Sequence, residues 1–536
     1  MGRRLPIWPA TLVALLAAIS TQTQAGDQPS PKTRTIAKPD YIDQMLQSSW
    51  DEAKVKPSPP ASDAEYLRRA YLDLLGRIPT VQETANFLET KDAGKRAKLV
   101  EYLLQSPDYP RNFGNVYSVL LLGRKMQERR VDRAALANWL RKQFAEDRPW
   151  NEMAYELITA KGNNKENGAA NFTLAHLEGG AVPLTSITTR VFLAQQIQCT
   201  QCHDHPNNDW KQKDFWGINA FFKGIKQKVV MRTDATGAEV EDHVDLSDAP
   251  TGAYSTFEKR NAYMEIAYPT YLDGRKIPQG PSVDRRVELG KFITDPNNDQ
   301  FAKAMVNRMW AHLMGRGFVN PVDDFGAQNT PSHPELLDRL AADFKASGFD
   351  LKQLIRWIMA SRPYNTTSMA TKGNEKDDSL FSHMTMKPMS PEQLYDSLLV
   401  ATEAHKVGSG DVDAQRKAWL DRFVVTFAND EDGESSAFQG TIPQALMMMN
   451  GELTQKATGG KAGSFLGKLI DQAQGAGPRA ESLVVDRLFL AALSRHPSAD
   501  EARKAKLYLD NNPDTLQVVE DLFWALLNSN EFALNH

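Results

Sequence analysis

Only two cysteines occur in 536 residues. A disulfide framework therefore cannot hold the fold, and stability has to come from core packing. Past the N-terminal stretch, no apolar run is long enough to form a membrane helix. Charge of one sign is not in excess either. The 63 lysines and arginines stand against 67 acids, a formal net charge of −4, with no basic cluster. That balance argues against nucleic acid as the main partner. Catalytic signatures are equally scarce. There is no G-x-S-x-G, H-E-x-x-H or phosphate-binding loop. Asp324-Phe325-Gly326 lacks the glycine-rich and catalytic loops of a kinase. Asp430-Glu431-Asp432-Gly433-Glu434 lacks the spacing of a calcium-binding loop. What remains, 41% hydrophobic and 24% charged, is the composition of an ordinary globular protein long enough for two or three domains.

Both cysteines fall in Gln198-Cys199-Thr200-Gln201-Cys202-His203-Asp204-His205-Pro206. C-x-x-C followed at once by histidine is what covalent haem attachment needs: two thiols for the two vinyl groups, and an adjacent imidazole for the iron. On this reading Cys199 and Cys202 carry one c-type haem per chain and His203 is the proximal ligand. The sixth ligand stays open. His205 is too close along the chain to reach the opposite face, so His312 and His333 are better candidates, then His176, or a methionine. Each also has a structural reading. His312 lies in the last helical turn before Gly315, where an imidazole caps carbonyls or complements the dipole. Ser332-His333-Pro334-Glu335 has the form of a capping box. Asp323 and Asp324 read either as an acid–base pair or as solvated loop acids.

Two further readings of the cysteine motif remain. Cys199, Cys202, His203 and His205 are four soft or borderline donors in a short span, suited to zinc or iron in a structural or hydrolytic role. Alternatively the cysteines form a plain thiol pair or disulfide.

The N-terminus has the pattern of a secretory signal. Arg3 and Arg4 precede the apolar run Leu12–Ile19, and Thr23-Gln24-Ala25 offers a small-x-small cleavage site. Cleavage would remove two arginines and no acids, taking the formal charge from −4 to −6, and would leave a periplasmic or secreted chain with no integral membrane segment. Residues 26–60, rich in proline and lysine, read as an extended linker. Helical periodicity then dominates 61–225, starting at the Ser62-Asp63-Ala64-Glu65 capping box. Residues 226–283 read as a loop-rich insert with short strands at Val229–Met231 and Tyr263–Ile266. Helices resume through 284–536. The predicted fold is mainly α: two helical domains joined by a small β-containing segment. A helical hairpin also recurs. Arg69-Ala70-Tyr71-Leu72, Arg77-Ile78-Pro79-Thr80 and Glu83 match Arg487-Leu488-Phe489-Leu490, Arg495-His496-Pro497-Ser498 and Glu501.

The span 60–225 resembles the cysteine-motif domain of secreted planctomycete-type cytochrome-like proteins. The residues that carry this are Arg68-Arg69-Ala70-Tyr71-Leu72-Asp73-Leu74-Leu75-Gly76-Arg77-Ile78-Pro79-Thr80, Arg148-Pro149-Trp150, and Val191-Phe192-Leu193-Ala194 through the motif to Trp210. From about 284 onward the chain resembles the partner domain that follows it. The match there is carried by Val306-Asn307-Arg308-Met309-Trp310-Ala311-His312-Leu313-Met314-Gly315-Arg316-Gly317, Pro331-Ser332-His333-Pro334-Glu335 and Thr441-Ile442-Pro443-Gln444-Ala445-Leu446. Both domains are of unknown function, so the resemblance implies haem and export but no reaction. No second C-x-x-C-H supplies the small cytochrome domain that many relatives carry first, and Gly440 stands where a polar residue is expected. An exported redox protein with an unidentified partner or substrate, a non-haem metal protein, and a purely structural role are the functional classes left.

Overall fold

The computed structural model describes residues 40–124, 130–249, 254–278, 283–403, 464–475, 477–512 and 514–536, with three isolated positions besides. The signal-like stretch, the acidic run 430–434 and the stretch Thr441–Leu446 lie outside the described residues. Among the described residues there are twenty α-helices, the chain being 56% helical, against sheets of only two or three strands, so the fold is mainly α as the periodicity predicts.

The helix α1 (Tyr41–Ala53) corrects the reading of 26–60 as an extended linker. Its Ile42, Leu46 and Trp50 recur every fourth residue and are fully buried, and the Trp50 indole donates to the Leu380 carbonyl at 2.7 Å. The flanking prolines and lysines conceal this apolar stripe in the sequence. Within the stretch read as helical, α5 (Asp108–Leu122) buries Tyr109, Phe113, Tyr117 and Leu121 along one face. Pro110 and Gly114 interrupt its pattern.

Helices α2 (Asp63–Leu75) and α3 (Val81–Glu89) form the first hairpin. Gly76 ends α2 in the left-handed region at φ 69°, where a Cβ would also strike Asn112 Oδ1. Then follow α4 (Lys95–Gln105), α6 (Arg133–Ala145), α7 (Trp150–Thr159), α8 (Ala170–Ala175), α9 (Glu178–Leu193) and α10 (Gln212–Asn219). In the insert, β2 (Ile225–Thr233) pairs antiparallel with β3 (Glu239–Asp248), whose other edge takes β1 (Gly162–Asn163) from the preceding helical stretch. A separate hairpin pairs β4 (Ser255–Glu258) with β5 (Met264–Ala267). Past the insert come α11 (Arg285–Ile293), α12 (Asp299–Met314), α13 (Pro334–Ala346), α14 (Leu351–Ala360) and α15 (Pro391–Thr402). The last five helices are α16 (Phe465–Gln474), α17 (Ala480–Leu493), α18 (Ala499–Asp510), α19 (Thr515–Leu527) and α20 (Asn530–Ala533).

The two helical stretches share their cores. One continuous apolar cluster runs from Ile42 to Met384. A second joins Leu72 and Ile78 to Leu394, Leu488 and Phe523. A buried polar network adds to this bond. The Asp73 carboxylate accepts from Lys387 Nζ at 2.7 Å, Asn535 Nδ2 at 2.7 Å and the Tyr364 hydroxyl at 2.9 Å. Burial lowers the Lys387 pKa, while its remaining protons go to the His312 and Leu313 carbonyls. All three ammonium donors are thus used. Lys387 and Asn535 face each other across β6 (Lys387–Pro388) and β7 (Leu534–Asn535). The neighbouring Arg69 donates to the Tyr364 and Thr366 carbonyls, and Arg68 to those of Ala492 and Phe532.

The sequence repeat is a structural one. In the first copy Arg77 pairs with both Glu83 oxygens, donates to Asp108 and to its neighbour's carbonyl, and lies over the Tyr71 ring. In the second, formed by α17 and α18, Arg495 does the same with Glu501, Glu531, the His496 carbonyl and Phe489. Both second helices start with a complete capping box, Thr80/Glu83 and Ser498/Glu501.

Candidate site at the cysteine motif

Helix α9 stops at Leu193, five residues short of the motif's Gln198, because Ala194 turns left-handed at φ 50°. Its last carbonyls are taken by groups from beyond the insert. Arg308 Nη1 donates to the Val191 carbonyl at 2.8 Å, Gln300 Nε2 to that of Leu193 at 2.8 Å, and the Phe325 amide to that of Ala194 at 2.8 Å. Arg308 also pairs with Asp323, and the Asp324 carboxylate accepts from Asn329. The two adjacent acids thus hold separate partners.

The motif itself is a 3-10 turn, Gln198–Gln201. Its middle is pinned while its reactive side chains are left out. Thr200 is buried, with its hydroxyl on the Ile197 carbonyl at 2.6 Å. The Gln201 carbonyl accepts from both Gln212 Nε2 and Trp216 Nε1 at 3.0 Å. The Gln212 amide donates to Asp204 Oδ1, which, helped by nearby lysines, holds that carboxyl below its ordinary range. Cys199 and Cys202 are free and exposed, as is His203. His203 Nδ1 lies 2.7 Å from the Asp204 carbonyl, which can only accept, so Nδ1 carries the proton and Nε2 keeps its lone pair.

His205 is differently employed. Its Nδ1 accepts from the amides of Asn207 at 3.1 Å and Asn208 at 2.9 Å, so it organises the turn. Asn208 in turn receives the Ala327 amide on Oδ1 at 2.9 Å and lies so close to Gly326 that a Cβ there would sit 2.7 Å away. The loop 323–329, sequence-distant from the motif, is its floor.

The remaining candidate ligands are held by partners of their own. His312 is half-buried, beside the Phe113 ring, and its Nε2 donates to the Asp73 carbonyl at 3.0 Å. It caps α2 rather than its own helix. His333 takes the N-cap position of α13 without a side-chain capping bond, so the box expected at Ser332–Glu335 does not form; instead the Ser332 hydroxyl bonds His333 Nδ1 at 3.0 Å, between the Phe318 and Phe381 rings. His176 Nε2 donates to the Leu121 carbonyl at 2.7 Å. Burial lowers the pKa of all three imidazoles. Among the described residues no three of His, Cys, Asp and Glu gather as a metal-binding group. The aromatic run after the motif is mostly core: Phe215, Phe221 and Phe222 are buried, and Trp216 stacks on Phe257.

A cavity of about 510 Å³ opens beside the motif, between its flanks at Gln195 and Trp210 and the junction of α11 with α12. The Trp210 carbonyl accepts the His205 amide at 2.8 Å, tying the cavity wall to the motif loop. Sequence reading gave no role to Gln195, Gln212 or Gln300. Their work is to bind backbone carbonyls or line a cavity, and neither leaves a spacing signal.

Residues 41–227 match the family model PSCyt2, described as a protein of unknown function (DUF1549), and residues 285–437 match PSD1, also described as a protein of unknown function (DUF1553). No curated protein and no solved structure gives a significant match. The motif belongs to the first matched stretch, and the loop beneath it to the second. Among the described residues no helix is long and apolar enough to cross a membrane.

Proposed function

We propose that these two matched stretches, standing in this order, form an exported redox protein with one covalently attached c-type haem, serving electron transfer or oxidation with a partner or substrate still to be identified. The observation that carries this is the state of His203. Its Nδ1 is committed to a backbone carbonyl while Nε2 stays available beside two exposed, unpaired thiols. Histidines that bind metals are usually oriented in this way.

The residues present fit the group. Cys199 and Cys202 would hold it through thioether bonds and His203 through Nε2. Bound there, haem would supply one-electron chemistry. The chain's own contribution is positional. The bonds from Gln212 and Trp216 fix the turn between the two cysteines, and the Asp204 carbonyl fixes the imidazole tautomer. The bonds from Gln300, Arg308 and Phe325 anchor the turn's N-terminal flank. The signal-like N-terminus supports export to the compartment where such attachment occurs. His205, with Nδ1 turned to two amides, is withdrawn from the donor set that the zinc or iron reading requires.

The test is a pyridine haemochrome spectrum of the protein exported from a host with haem-attachment machinery. A haem signal that survives denaturation, and is lost on Cys199→Ala or Cys202→Ala, is expected. Correctly exported but colourless protein would overturn the proposal.

A further inference from the structure

The cavity beside the motif has an unusual balance of hydrogen-bonding groups. Two of its amides are anchored by their NH2 ends: Asn298 Nδ2 on the Phe292 and Ile293 carbonyls, and Gln300 Nε2 on the Leu193 carbonyl. What they have left is acceptor oxygen. Asp295 adds a carboxylate whose Oδ1 is occupied by Asn297, leaving Oδ2. The one guanidinium at the rim, Arg275, gives its Nε to Asp273 at 2.7 Å and lies 5.2 Å over the Phe292 ring, so its charge is paired while its two NH2 groups still offer donors. Set against these acceptors are the rings of Trp210 and Phe292 and one free amide. Trp210 is half-buried, and neither its Nε1 nor the Gln195 side chain has a hydrogen-bond partner among the described residues.

With Asp273, Asp295 and Asp299 against the single, already paired Arg275, the lining carries net negative charge and disfavours phosphates and carboxylates. A hydrocarbon would leave the amides and carboxylate unpaired. The ligand that satisfies both halves carries many hydroxyl donors on one side and a face of C–H groups to lay on an indole. Those are the features of a saccharide ring. The volume of about 510 Å³ lies within the range of small-molecule sites. We infer that this cavity binds a neutral saccharide of about two rings, with Trp210 as stacking platform and Asn298, Gln300 and Asp295 accepting from its hydroxyls. A sugar held there lies against the loop that carries Cys199 and Cys202, yet its binding does not require the haem.

Isothermal titration of the full chain lacking its signal, with cellobiose, maltose, xylobiose and digalacturonate as probes, tests this. Saturable binding of at least one neutral disaccharide is expected. Loss of the indole in Trp210→Ala should weaken it about tenfold or more, and Trp210→Phe should restore most of it. Gln195→Ala should weaken it severalfold, and a Cys199→Ala/Cys202→Ala double variant should bind as before whether or not haem is carried. No saturation by any neutral probe overturns the inference. So does an affinity unmoved by both Trp210→Ala and Gln195→Ala, or a preference for digalacturonate.

Discussion

At the scale of single residues, the histidines show how one side-chain type is put to unlike uses. His203 is exposed beside the thiols, whereas His176, His312 and His333 are packed inside with burial holding their pKa below the ordinary 6.5. For a base whose folded pKa is depressed, the stability gained by staying neutral is fully present above the unfolded value. It is lost as pH falls below 6.5 through the folded values, because the unfolded chain takes up the proton first. The melting temperature should therefore drop between about pH 7 and about pH 5.5, above the range where carboxylates titrate. His312→Gln keeps an N–H donor for the Asp73 carbonyl and removes the titration. Melts of this variant should show a shallower drop over the same window; an unchanged slope would remove His312 from the account.

Among elements, the paired hairpins were the most legible part of the chain. Arg77 and Arg495 announce themselves by the R-x-P-[ST]-x-x-E pattern, since capping needs fixed local spacing. Their third partners, Asp108 and Glu531, are not in that spacing and came only with the structure. Arg77 is less exposed than Arg495, 14% against 27%. Arg77→Ala should therefore cost about 2 kcal/mol in urea unfolding and Arg495→Ala somewhat less, in line with hydrogen bonds to charged groups. Equal losses would show that solvent screens both alike. The helix α1 was illegible for the opposite reason: three apolar positions in a polar, proline-flanked stretch are too few to register until the cleft they fill is seen. The motif turn was half legible. Its cysteines and His203 stand out by type, but the groups that pin it lie up to more than a hundred residues away, as Asn208 and Ala327 do.

For the molecule as a whole, the shared cores and the Asp73 network decide what can fold alone. Removing one partner from a buried charge pair typically costs about 3–5 kcal/mol. Lys387→Met should fall in that range by chemical denaturation, and adding Asp73→Asn should recover part of the loss. A double variant no better than the single would mean that the charge of Asp73 is not what Lys387 offsets. Residues 40–283 expressed without the rest should unfold without a cooperative transition, since the apolar cluster from Ile42 to Met384 would lie half open; a sharp melt of that fragment would contradict the shared core. The same network also sets a timetable. Asp73 emerges early from a ribosome, yet its partners Tyr364, Lys387 and Asn535 follow hundreds of residues later. Until they arrive, Asp73 is an unpaired acid that resists burial. Closure of the leading third of the chain around Asp73 should therefore come late in folding, waiting on the last residues to be made.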